Sequence, residues 1–142
     1  MPALCRLEEP LMNTTAQWSR ASGRTACEVR LEHGAFTVDV DAAAGGGEDP
    51  TPHDILDAAL AACTVLTLQL YAQRKGMGLQ SAEVSVAHAQ DGDVYRMRRV
   101  LSVHGALSEA DRASLLRVAQ ACPVHKTLRG EIAIDTALAV AD

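Results

Sequence analysis

The sequence predicts an α+β fold, and three observations predict it. Two or three short alternating segments open the chain, one long apolar helix follows, and two strands, a second helix and a last strand complete it. That order lacks the β–α–β rhythm of a doubly wound sheet and keeps strand and helix blocks apart. At 142 residues the chain suits one domain. A chain of about that size buries roughly 68–70% of its unfolded surface, so neither a disulfide nor a metal is needed to hold it together.

Residues 1–14 lack a pattern and are expected to form a loose tail before a single domain over 15–142. In the segment that follows, Cys27, Val29 and Leu31 alternate with Glu28, Arg30 and Glu32, the period-two sign of a half-buried strand. "EHGA" supplies a turn into "AFTVDVDA", so the N-terminal strands are expected to be antiparallel. "AAAGGGEDPTP" is a loop, because glycine and proline both interrupt regular structure.

Thr51 and Pro52 open the long helix, since Thr is a fair N-cap and Pro is favoured at the first helical position. Asp54 and Asp57 near its start, and Arg74 and Lys75 before Gly76, complement the helix dipole. The helix should run about 24 residues, or roughly 36 Å. Its middle, "ALAACTVLTLQLYA", is apolar on every side, which predicts burial over most of its circumference. One subunit of this size cannot easily wrap such a helix, so an interlocked homodimer is expected. The uncharged stretch 58–73 spans 16 residues, short of the roughly 20 that a membrane span needs.

"LQSAEVSVAHA" and "VYRMRRVLSVHGAL" are two strands joined near "QDGD", a hairpin signal. "SEADRASLLRVAQAC" is a second helix with Ser108 at its cap and Asp111 three residues on, a weak form of the capping box. "CPVHKTLRG" breaks and restarts the helix, and the alternating "EIAIDTALAV" is expected to be the final strand.

The formal net charge of −5 argues against a nucleic-acid partner. One Phe, one Trp and two Tyr give no stacking platform for single strands. The start lacks the basic and apolar regions of a secretory signal, so a cytoplasmic protein with no membrane partner is expected. There its four cysteines would be reduced, and a cysteine pair would be redox-active or catalytic rather than a structural staple.

Two of those cysteines stand out. Cys63 sits mid-helix with no charge near it along the chain. Packing is one reading, because free Cys behaves as a small hydrophobe; the other is chemistry with charge brought in by folding. Cys122 precedes Pro123, which disfavours the α region at Cys122 and places it at the cap of a short new helix. Unpaired N–H groups there lower a thiol pKa, and His125 lies three residues on. Local sequence therefore names Cys122, not Cys63, as the more acidic thiol. Cys63, Cys122, His53 and His125 offer Cys and His ligands for a zinc set, but a second close ligand pair is missing. Cys5 in the tail and Cys27 on a strand are expected bystanders.

The blocks "TPHDILDAALAACTVLTLQLYAQRKGMGL" and "RRVLSVHGALSEADRASLLRVAQACPVHKTL" closely resemble the OsmC/Ohr family, with the "CPVH" form of an OsmC-like subgroup. The resemblance implies an intertwined α+β homodimer and a thiol-dependent peroxidase that reduces organic hydroperoxides, with an antioxidant role in stress. By it, Cys63 is the peroxidatic cysteine and Cys122 its resolving partner, joined as an intramolecular disulfide during turnover. The family's arginine has its nearest match in Arg24, with Arg20 and Arg30 as alternatives. The Ohr branch carries a catalytic Glu ten residues before its first cysteine; here His53 stands there, followed by Asp54. Asp54 is the expected orienting acid for Arg24, and His53, Leu56 and Leu60 are the expected substrate contacts. The implied reductant is an external dithiol of the lipoyl type, and no metal or organic cofactor is implied. A non-catalytic small-molecule binding and dimer module on the same fold is the alternative reading.

A thiolate is the nucleophile. Lowering a thiol pKa by about two units multiplies the thiolate at most about thirty-fold near neutral pH. Nucleophilicity falls with a slope of roughly 0.4–0.5, so ionisation alone does not make a fast peroxidase. A cation at the leaving oxygen must contribute as well.

Overall fold

The computed structural model describes residues 14–139, which divide into two compact units meeting between Ile55 and Leu56. The expected tail lies outside the described residues except for Thr14.

The first unit carries an antiparallel sheet in the order β1 (Thr15–Gln17), β2 (Cys27–Leu31), β3 (Gly34–Val38). The β2–β3 register pairs Cys27 with Val38 and Leu31 with Gly34, which puts the turn at the predicted "EHGA". Two short 3-10 turns, Arg20–Ser22 and Ala42–Ala44, occupy the polar and glycine-rich connections.

Helix α1 spans Pro52–Lys75, 24 residues, as the caps predict. Thr51 and Asp54 cap its start reciprocally: Asp54 N–H donates to Thr51 Oγ1 (3.2 Å) and Thr51 N–H donates to the Asp54 carboxylate (2.9 Å). Within the single chain its burial is one-sided. Asp57, Leu60, Thr64, Leu68 and Ala72 are buried at three- and four-residue spacing, one face of a helix. Leu66 and Leu70, elsewhere on its circumference, are each 54% exposed. Among the described residues, this one face of α1 is covered within the chain.

That hairpin is β4 (Gly78–Asp91) with β5 (Val94–Ala106), closed by Gly92 and Asp93 with Asp91 paired to Val94. Gly92 has φ +59°, which a tight two-residue turn demands. At the far end a register shift between Leu79 and Ser81 presses the strands together. A Cβ on Gly105 would stand 2.0 Å from the Gly78 carbonyl oxygen, so only glycine fits there. Helix α2 (Glu109–Ala119) starts from a complete capping box between Ser108 and Asp111. Helix α3 (Pro123–Arg129) starts at Cys122. The core of this unit is Leu68 and Ala72 of α1 against Leu115 and Ala119 of α2, with Val84, Leu101 and Val103 of the hairpin packed onto it.

The expected final strand is not formed. Residues 131–139 carry no regular structure, and Ile134 and Leu138 are 82% and 97% exposed. Alternation makes a segment strand-competent, but a strand exists only where a free edge accepts its hydrogen bonds.

Candidate active site

Within the second unit, two thiols and one guanidinium form a connected network. Cys63 projects from the middle of α1 and Cys122 caps α3, and the two thiols lie near enough to perturb each other's ionisation. Cys63 is half-buried, whereas Cys122 is 0% exposed. The α3 start is fixed by sequence: Cys122 is extended (φ −58°, ψ 134°) ahead of Pro123, and its Sγ accepts the His125 N–H at 3.5 Å.

The environment drives the two acidities apart. Burial pushes the Cys63 thiol above its ordinary value, with the hydrogen bond to Cys122 acting in the same direction. Burial would raise Cys122 too. The neighbouring Cys63, the His125 N–H, Thr64 and the Val124 N–H outweigh it, and Cys122 ends below its ordinary value. The more acidic thiol is therefore Cys122, as its place before Pro123 predicts.

Arg99 ties these elements together. Its Nη1 donates to Oγ1 of the fully buried Thr64 (3.0 Å), and its Nη2 donates to His125 Nδ1 (3.1 Å). A guanidinium only donates, so Nδ1 is an acceptor and the neutral ring carries its proton on Nε2. Burial, then the charges of Arg99 and Arg129, hold the His125 pKa below the usual histidine value. Thr64 in turn donates to the Leu60 carbonyl (2.7 Å). A cavity of about 360 Å³ opens beside this network. Arg96, Arg99, Arg129 and His125 line it with Leu60, Met97 and Leu128, a cationic rim on an apolar wall.

Residues 45–137 match the family model described as OsmC-like protein. The chain belongs to the OsmC-like family. Its fold is similar to that of the OsmC like protein from Mycoplasma pneumoniae, at 22% identity and TM-score 0.68 over 84% of this chain and 87% of that one. It is also similar to the organic hydroperoxide resistance protein OhrB of Bacillus subtilis (23% identity, TM-score 0.58, 83% of this chain and 90% of that one). A third likeness is to an organic hydroperoxide resistance protein from Elizabethkingia anophelis (20% identity, TM-score 0.63, 83% and 87%). No curated protein matches the chain.

In this OsmC-like chain the other residues singled out from sequence fall as follows. Leu60 is buried and forms part of the cavity wall, whereas Leu56 is half-buried and outside that lining. His53 is exposed on the first turn of α1. Arg24, in the first unit, donates to Asp49 at 2.9 Å with most of its side chain in solvent. Arg30 pairs with Glu28 on the same strand, and Arg20 lies exposed in a 3-10 turn. Cys27 is half-buried on β2, and Cys5 lies outside the described residues. The zinc reading loses its histidine, because His125 Nδ1 faces the Arg99 cation. Among the described residues, Cys63, Cys122 and His125 do not join a group of converging metal ligands.

Two features escaped the sequence. Tyr95, Met97, Arg99, Leu101 and Val103 share the covered face of β5, while Arg96, Arg98 and Val100 face solvent. Arg99 thus occupies an apolar position in a period-two pattern, a signal present in "VYRMRRVLSV" but masked by its neighbour Arg98. Asp57, expected as a dipole partner, is buried; it accepts the Tyr95 hydroxyl (3.1 Å) and contacts His88 Nδ1. Tyr95 also lines the cavity, so this buried carboxylate anchors one of its walls.

Proposed function

We propose that this protein is a thiol-dependent peroxidase that reduces organic hydroperoxides in the cytoplasm as a homodimer. Family membership and the likeness to the organic hydroperoxide resistance proteins of Bacillus subtilis and Elizabethkingia anophelis favour the chemistry. The observation that carries it is a half-buried thiol on α1 close to a fully buried thiol at the cap of α3, each perturbing the other's ionisation. Cys63 attacks the terminal peroxide oxygen; the O–O bond breaks, an alcohol leaves, and Cys63 becomes a sulfenic acid. Cys122 then attacks that sulfur, forming the disulfide and releasing water. An external dithiol, of the dihydrolipoyl kind that the family resemblance favours, restores both thiols by two exchanges.

Arg24 and Arg99 compete for the role of cation at the leaving oxygen. Arg99 is favoured, because it is bonded to Thr64, next to Cys63, and to His125; Asp54 accompanies Arg24 in the other reading. The cavity suits the organic part of the peroxide, with Leu60 and Leu128 for its apolar portion and the arginines for any anionic group. The exposed α1 face at Leu66 and Leu70 is the surface for the second subunit.

The test mixes reduced protein with one equivalent of cumene hydroperoxide, followed by intact mass and a non-reducing peptide map. Loss of two hydrogens mapped to Cys63–Cys122 is expected. Unchanged thiols, or oxidation confined to Cys5 and Cys27, would overturn the reading and leave the binding module in its place.

A further inference from the structure

The cavity beside the thiols is unbalanced in charge. The chain as a whole carries a formal net charge of −5, yet Arg96, Arg99 and Arg129 line this one space and no carboxylate does. Arg96 is paired with Asp91 at 2.8 Å. Among the described residues, Arg99 and Arg129 form no ion pair. Arg99 donates instead to the uncharged Thr64 hydroxyl and His125 ring. Asp57, the acid behind the Tyr95 wall, is occupied by Tyr95 and His88. The two uncompensated cations are close enough to His125 to hold its pKa down.

The same cavity reaches the neighbourhood of both cysteines. His125 lines it and donates its N–H to Cys122 Sγ at 3.5 Å. Leu60 lines it one helical turn before Cys63. Two compounds must come here in turn, and they differ in charge at the reacting end. A hydroperoxide arrives neutral. A thiol reductant attacks only as its thiolate, so it arrives as an anion. A cluster of cations raises the local concentration of anions and favours thiolate over thiol. The uncompensated charge therefore acts on the reductive half of the cycle.

We propose that this cavity receives the reductant and selects a dithiol that bears a carboxylate, with Arg129 as the specificity-determining residue; this rests on the peroxidase reading above. Arg99, bonded next to both cysteines, favours the incoming thiolate, and the exposed Arg129 takes the carboxylate. The first thiol of the reductant loses its proton to solvent and attacks the Cys63 sulfur, since Cys122 is closed off completely. The protein S–S bond breaks, and its electron pair goes to Cys122, which takes up a proton. The second thiol of the reductant, deprotonated in turn, attacks its own mixed disulfide. A cyclic disulfide leaves, and Cys63 takes up a proton. One protein disulfide and one dithiol become two protein thiols and one cyclic disulfide.

The deciding experiment starts from the Cys63–Cys122 disulfide, made with one equivalent of cumene hydroperoxide, and follows its reduction by rapid quench, alkylation and intact mass. Dihydrolipoate and dihydrolipoamide are the two reductants, because they share the dithiol and differ in a carboxylate against an amide. At low ionic strength dihydrolipoate should be faster by roughly three- to tenfold, the scale of one or two solvent-screened ion pairs. The ratio should fall toward one in about 0.5 M salt, where the screening length is only a few ångströms. Arg129→Gln should at least halve it. A ratio is taken within one protein, so a loss of stability in the variant cancels, and the salt dependence decides on wild type alone. Equal rates for the two reductants in wild type, or a ratio that neither salt nor Arg129→Gln changes, would overturn the proposal and leave the peroxidase reading standing. A protein that yields no Cys63–Cys122 disulfide with the peroxide would instead sink that reading, and this proposal with it.

Discussion

Thr64→Val isolates the link between the buried cation and the thiol pair. Valine matches threonine in volume and branching, so the fully buried site acquires no cavity. The change removes the oxygen that accepts from Arg99 at 3.0 Å and lies in reach of Cys122. The Leu60 carbonyl loses the Thr64 hydroxyl but keeps its place in the helical ladder. The main loss is one hydrogen bond to a charged donor, about 1.5–3 kcal/mol. For a chain of this length that corresponds to a fall in Tm of roughly 5–12 °C.

A double-mutant cycle separates this bond from general damage. Thr64→Val, Arg99→Met and the pair are unfolded in urea, and the coupling should reach about 1 kcal/mol or more, within the range for contacting residues. Thiolate absorbance gives a second readout: Thr64→Val should move the Cys122 pKa upward, since one of the polar groups that hold it down is gone. Additivity within about 0.5 kcal/mol, together with an unmoved Cys122 titration, would refute the reasoning that Arg99 acts on the thiols through Thr64.

Three other outcomes are expected. The His125 pKa is depressed in the folded protein, so its stabilising contribution is present above the unfolded value near pH 6.5 and is lost as pH falls through the folded pKa; urea unfolding from pH 8 to 5 should show this loss, and His125→Gln should flatten it. Arg129→Gln, on the cavity rim, should raise the KM for a carboxylate-bearing hydroperoxide about two- to fivefold, the scale of a solvent-screened ion pair, and leave that for cumene hydroperoxide unchanged; equal effects on both would remove the rim from substrate selection. Leu66→Glu with Leu70→Glu, on the exposed face of α1, should convert a dimer to a monomer by light scattering with its helical circular dichroism retained, and a persisting dimer would move the interface elsewhere.

What local rules govern was legible in the sequence. The bounds of α1 followed from Thr51, Pro52 and Gly76, the hairpin from its glycine turn, and the break at Cys122 from Pro123. Each depends on backbone sterics or on bonds a few residues apart. The final strand was misread for a related reason. Its alternation describes a surface, while its formation requires an edge elsewhere that residues 131–139 do not find in this chain. Asp57 was misread because its partners lie 31 and 38 residues away.

The site divides along the same line. That Cys122 is the more acidic thiol was readable from four residues, because capping is local. That Cys122 is also the inaccessible thiol was not, since burial is a property of the folded chain and not of the four residues. Acidity without access cannot make a nucleophile for an external peroxide, and access without acidity makes a slow one. Cys63 has the access and Cys122 the acidity, and each thiol perturbs the ionisation of the other. Arg99, bonded to Thr64 beside Cys63 and to His125 three residues after Cys122, is the charge that folding brings to the neighbourhood of both thiols, and no local pattern around either cysteine reveals it.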